Sequence, residues 1–227
     1  MISNLKSRVS GKFKKHSGQW LTLALVILAL PWPLAARTIA LKPEDVDLVA
    51  AITQQAPRFS WGAYESPVSI FRNAPFIGTT DNSFFIRYPL DKIPKGQRIS
   101  LAELSVPVNG VHPLPTRLYF WRVLVEWGVG VCHQFRMMRP KKEAWTVPGA
   151  RGNSTDRATK PTTVLGVTEI GEKSVNLTKD VEMWYTGATP NYGWMICVED
   201  REAYVQFQSP IHAETGNWEL RVTYEPQ

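Results

Sequence analysis

The chain has 227 residues, enough for one substantial domain with a buried core. Its formal net charge of +6 comes from one end: residues 1–37 hold six of the 26 lysines and arginines and no acidic residue, which leaves 20 basic against 20 acidic residues in the remainder. That balance excludes a basic footprint for nucleic acid.

The N-terminal segment runs from a basic stretch ending at Lys15, through an uncharged apolar stretch from Trp20 to Leu30, to Pro31-Trp-Pro-Leu-Ala-Ala36. This order predicts an export signal over residues 1–36, cut after Ala36. The alternative is an uncleaved membrane anchor, for which Trp20 to Ala36 is short and interrupted by two prolines. In either case the body of the protein works outside the cytoplasm, secreted or held at the cell envelope, with membrane contact only through this segment.

Residues 37–82 read as N-terminal strands or an extension with little pattern, apart from an apolar run near Val46 to Ile52 and scattered aromatics. From Ser83 the period becomes two: Phe84, Ile86, Tyr88 and Leu90 alternate with Phe85 and Arg87, as in a strand with one buried face. A Pro94-Lys-Gly96 turn leads to Ile99 to Val108, where Ile99 and Leu101 share one phase and Ala102, Leu104, Val106 and Val108 the other. A slip of one residue predicts a β-bulge. Leu118 to Trp127 is apolar on both faces and reads as a central strand.

Near the C-terminus, 193–199, 203–208 and 218–224 read as three more strands. Between these strands and the loop that precedes them, one short helix is expected: Thr178 caps it, Val181, Trp184 and Tyr185 share a side, and Gly187 ends it. Short strands with Gly/Pro turns, one brief helix and many tryptophans predict an all-β fold, a two-sheet antiparallel β-sandwich or jelly roll, with 37–227 as one domain.

Catalytic motifs are missing. His112, His133 and His212 have neither a serine elbow nor an HExxH spacing nearby, Ser154 and Ser209 are not in GxSxG, and the stretch EAWTVPGARGNSTDRATKP (Glu143 to Pro161) contains GARG without a Walker ending. In that stretch Trp145 is expected at the base of a loop. Asp156 either accepts backbone N–H bonds in its own turn or helps ligate a structural calcium, for which one carboxylate is a poor donor set. Cys132 and Cys197 are either a disulfide or two buried thiols. An aromatic beside polar side chains suits a sugar ring, whose C–H faces stack and whose hydroxyls pair; Trp61, Tyr64, Trp184, Tyr185, Asn191 and Tyr192 are the ligand candidates.

Five stretches, taken in order, resemble the DNRLRE domains, exported β-sandwich modules related to polysaccharide-binding modules. FFIRYPLDKIPKGQRISLAELSV, from Phe84, resembles the family's opening strand, its isoleucine-proline-x-glycine turn and the strand after it. VEWGVGVCHQFR resembles its tryptophan- and glycine-containing strand, with Cys132 and His133 in place of the usual threonine-tryptophan-asparagine continuation. EAWTVPGARGNSTD resembles the long loop that follows, VNLTKDVEMWYTGATPNYGWMI the short helix and asparagine turn, and QFQSPIHAETGNWELRVTYEP the closing strands, although QSPIHAE stands where serine-arginine-glutamate is common. The similarity covers roughly residues 83–226 and implies a DNRLRE-like sandwich over 83–227. It implies a noncatalytic module that binds a polysaccharide or another cell-envelope component. A self-associating structural subunit of an extracellular layer is the alternative, and a polysaccharide lyase drawing on Tyr204, Gln206 and His212 is the third reading.

Overall fold

Two antiparallel sheets face each other, and a long excursion of the chain covers one of them from outside. The computed structural model describes residues 35–62, 67–72, 82–200, 202–208 and 218–227. In chain order the strands are β1 (Arg37–Leu41), β2 (Leu48–Thr53), β3 (Trp61–Gly62), β4 (Pro67–Arg72), β5 (Asn82–Arg87), β6 (Gln97–His112) and β7 (Thr116–Arg122). Then come β8 (Phe135–Met137), β9 (Glu143–Ala144), β10 (Thr163–Val167), β11 (Gly171–Asn176), the helix α1 (Thr178–Tyr185), β12 (Trp194–Val198), β13 (Ala203–Gln208) and β14 (Glu219–Pro226). Among the described residues no helix is long and apolar enough to cross a membrane.

The first sheet, sheet A, has the order β1-β14-β6-β13-β4, with β11 also paired to β6; the second, sheet B, has the order β10-β7-β12-β5-β2-β3. The fold is therefore an all-β two-sheet antiparallel sandwich with a short helix. β1 and β2 join different sheets, β1 on β14 and β2 on β5, so residues 37–53 belong to the sandwich and are no separate extension. Leu34–Gln227 forms one compact unit.

β6 organises sheet A, pairing with β14 along 97–105, with β11 along 103–108 and with β13 along 108–112. The expected phase slip is there: Tyr224 faces Ile99 while Thr223 faces Leu101, which leaves Ser100 as the extra residue. The bulge lets Ile99 and Ala102 both reach the core, three positions apart. The sheets meet over an aromatic triad. Phe84 of β5 lies 5.0 Å from Phe207 of β13 and 5.3 Å from Trp218, and those two rings are 4.8 Å apart.

Three sequence expectations need correction. The strand expected over 118–127 stops at Arg122: the Val123 N–H still continues the ladder to the Gly193 carbonyl, and beyond it the chain turns to the covering loop, with Val123 bridged to Arg157 and the Leu124 N–H donating to the Asp156 carbonyl. β5 is buried on both faces, since Phe85 points away from the triad and meets Trp127 and Trp145 of the covering segment at 5.3 and 5.6 Å. Thr178 is the first residue of α1 and not its cap. Asn176 Oδ1 accepts the Thr178 N–H at 3.0 Å, while Thr178 Oγ1 accepts the Ala102 N–H at 2.9 Å and ties the helix to β6. Gly187, with φ +75°, ends the helix as expected.

Removing the central ring of the triad tests this packing. Phe84→Ala should lower unfolding stability by about 3–5 kcal/mol, read from urea denaturation midpoints; a loss below about 1 kcal/mol would mean that the sheets do not meet there.

Candidate functional site

The residues around α1 that suit a sugar ring are engaged in the scaffold. Trp184 is 7% exposed and its ring lies 4.6 Å from that of Trp194. The Tyr185 hydroxyl donates to the Pro94 carbonyl at 2.6 Å and accepts the Gln97 N–H at 2.9 Å, bolting the helix to the start of β6. Asn191 donates through Nδ2 to the Tyr88 carbonyl at 2.8 Å and accepts the Gly193 N–H at 3.0 Å, which shapes the turn into β12. That turn needs glycine: at Gly193, φ +74°, a Cβ would collide with the Ile86 carbonyl. Tyr192 packs against the core and its carbonyl accepts Trp127 Nε1–H at 2.6 Å. Trp61 pairs through its backbone with Ala51, and Tyr64 lies outside the described residues.

The loop after β9 is a structural cover. Asp156, 1% exposed, accepts the Thr146 N–H on Oδ1 at 2.8 Å, and the N–H groups of Val147 and Gly152 on Oδ2 at 2.9 and 3.0 Å. Its two oxygens thus hold three backbone N–H groups of one loop, which is the first of the two roles expected for it. Among the described residues no cluster of three metal-ligating side chains occurs. Trp145 is buried and donates from Nε1 to the Cys132 carbonyl at 2.9 Å, at the base of the loop as expected.

Beneath the loop, Arg151 and Arg157 both donate to Glu199 Oε1, at 2.6 and 3.0 Å, and the Arg157 guanidinium lies 3.7 Å from the centre of the Trp121 ring. Cys197 faces this cluster, 3.3 Å from Arg151 Nη1. Cys132 and Cys197 are both buried and not joined to each other, so of the two readings the structure has buried thiols and no disulfide.

Polar side chains of the described strands line the outer face of sheet A. Val205 and Phe207 point into the core, so the alternation of β13 sends Tyr204 and Gln206 outward. Their partners on β6 are His112 and Gly110. The imidazole of His112 and the ring of Tyr204 stack with centroids 6.0 Å apart and planes 29° apart. Gln206 reaches over Gly110, where a Cβ would come within 2.7 Å of its side-chain oxygen. Farther along the same face stand Glu103, Glu172 and Glu219 around Arg221, whose guanidinium is held above its ordinary range by its hydrogen bond and ion pair to Glu219, with Glu172 and Glu103 adding to the effect.

Of the residues considered for lyase chemistry, the structure thus brings Tyr204 and Gln206 onto one face, while His212 lies outside the described residues. His112 was not legible as their neighbour. The period-two pattern of AYVQFQ reveals the face of Tyr204 and Gln206, but the register against β6 depends on a second bulge, at Asn109, between the Gly110↔Gln206 and Val108↔Phe207 pairs. No protein-family model matches the chain, and no curated protein matches it.

The role of Asp156 separates from that of a cation by experiment. Asp156→Ala, which orphans three N–H groups, should cost about 3–5 kcal/mol of stability, and EDTA should leave the melting temperature of the unsubstituted protein unchanged. A fall in melting temperature with EDTA, reversed by calcium, would put a metal on this carboxylate.

Proposed function

We propose that this protein is an exported, noncatalytic polysaccharide-binding module of the cell surface, and that the sugar chain lies across the outer face of sheet A. The stacked pair Tyr204–His112 with Gln206 beside it is the observation that carries this reading. A sugar ring presents C–H groups to an aromatic face and hydroxyls around its rim, and an amide both donates to and accepts from a hydroxyl. Gly110 leaves room for the Gln206 side chain to lie across β6, which holds its amide beside the ring pair. Strands present these groups on a rigid surface, which reduces the ordering cost of binding. The export-type leader and the DNRLRE resemblance agree with this reading.

The charge on the face narrows the ligand. Glu103, Glu172 and Glu219 outnumber Arg221, so a polyuronate or sulfated chain would meet repulsion along the strands, and a neutral glycan fits best.

Affinity electrophoresis against neutral and acidic polysaccharides tests both points. Retention is expected on a neutral class, with Tyr204→Ala weakening it at least about tenfold, or ~1.4 kcal/mol, while the fold is retained. Tyr185→Phe, a change in the scaffold near the helix, should leave retention unchanged. Equal retention of the Tyr204→Ala variant would remove the site from this face, and appearance of unsaturated products absorbing in the ultraviolet would replace binding by lyase chemistry.

A further inference from the structure

The outer edge of sheet B is β10, which pairs with β7 on one side and with no other described strand. Sheet edges are normally guarded by a charge, a proline or a bulge, because an open row of N–H and C=O groups recruits another strand. β10 has none of these. Thr163–Val167 is uncharged and free of proline, and its register with β7 runs from Thr163↔Phe120 to Val167↔Thr116 without a shift. Three of its five residues are β-branched, which favours pairing. Val164 is 42% exposed on the strand, and Ile170, just beyond it, is 63% exposed.

The strand is also complementary to its own reverse. Two copies set antiparallel about Leu165 place Val164 of each opposite Gly166 of the other, and Thr163 opposite Val167. A Cβ at Gly166 would meet nothing within 4 Å, so the methyl groups of a facing valine enter open space. The charges at the two ends of the segment agree with this alignment. In this register Pro161 falls opposite Glu169 of the second copy and exposed Lys160 opposite Ile170, so Lys160 lies diagonal to Glu169 at each end; the Glu169 side chain is 76% exposed and pairs with Lys173 at 3.0 Å. We infer that the occupant of this edge is a second copy of the chain, and that the protein forms a two-fold dimer by antiparallel β10–β10 pairing, which joins two six-stranded sheets into one.

The edge belongs to sheet B and the Tyr204 row to sheet A, so dimerisation and sugar retention are read separately. Light scattering on the full chain in mild detergent, over a concentration series, should give a protein mass twice that of the chain. Val164→Lys, which places a charge at an exposed position of the edge, should return it to the single-chain mass with the fold intact. A mixture of Val164→Cys and Gly166→Cys chains should form a disulfide-linked dimer under mild oxidation, in several-fold greater yield than Val164→Cys alone. A single-chain mass at every concentration, a dimer that Val164→Lys leaves intact, or equal cross-linking in the mixed and unmixed samples would overturn the proposal.

Discussion

Sheet B has to be dry on both sides, and most of the architecture follows from that. The run from Ser83 to Ile86 and the whole of β12 are buried, so the sheet has an apolar inner face against sheet A and an apolar outer face that sheet A does not cover. The segment between β7 and β10 supplies the cover. Irregular backbone placed over an apolar surface leaves polar groups that water no longer reaches, and Asp156 satisfies three of them with one carboxylate. Trp127 and Trp145 then fill the space beneath, both against Phe85.

The same constraint explains why charged groups lie so deep under the loop. Arg151 and Arg157 converge on Glu199 at the rim of β12, where the aliphatic stems of the arginines cover apolar surface and the guanidinium of Arg157 covers Trp121. Such a cluster fixes the loop in one register more than it adds stability, because desolvation of the ions offsets much of their attraction. Sheet A carries no comparable burden. Its inner face is apolar, and among the described residues its outer face carries mostly polar side chains, with the Tyr204–His112 pair among them.

Local pattern in the sequence was enough for the sandwich itself: the alternation in β5, β13 and β14, the bulge at Ser100 and the short helix before the Asn191 turn all have periods that one segment reveals alone. What failed depended on contacts between distant segments. The run Leu118 to Trp127 keeps a strand period past Arg122, yet β7 ends there as Val123 and Leu124 turn to Arg157 and Asp156, more than 30 positions away. Trp184 and Tyr185 look like a sugar platform because an aromatic pair beside polar residues has the same composition whether it faces water or Trp194. The Tyr204–His112 pair was hidden for the opposite reason. Its two members lie on strands more than 90 positions apart, and only the register between those strands brings the rings together.

The two sheets differ in what their boundaries leave available: β10 is an unguarded edge of sheet B, whereas the Tyr204 row lies on a face of sheet A. Antiparallel neighbours in a sheet are related by a two-fold axis perpendicular to it, so copies aligned through β10 turn their sheet A faces in the same direction. In the proposed dimer the two proposed sugar rows lie on one side of a rigid plate and would engage one polysaccharide strand together, the second contact forming at an effective concentration set by the plate and not by bulk solution. Retention on a surface would in that arrangement rise far above the affinity of either row, with no additional contact to any sugar.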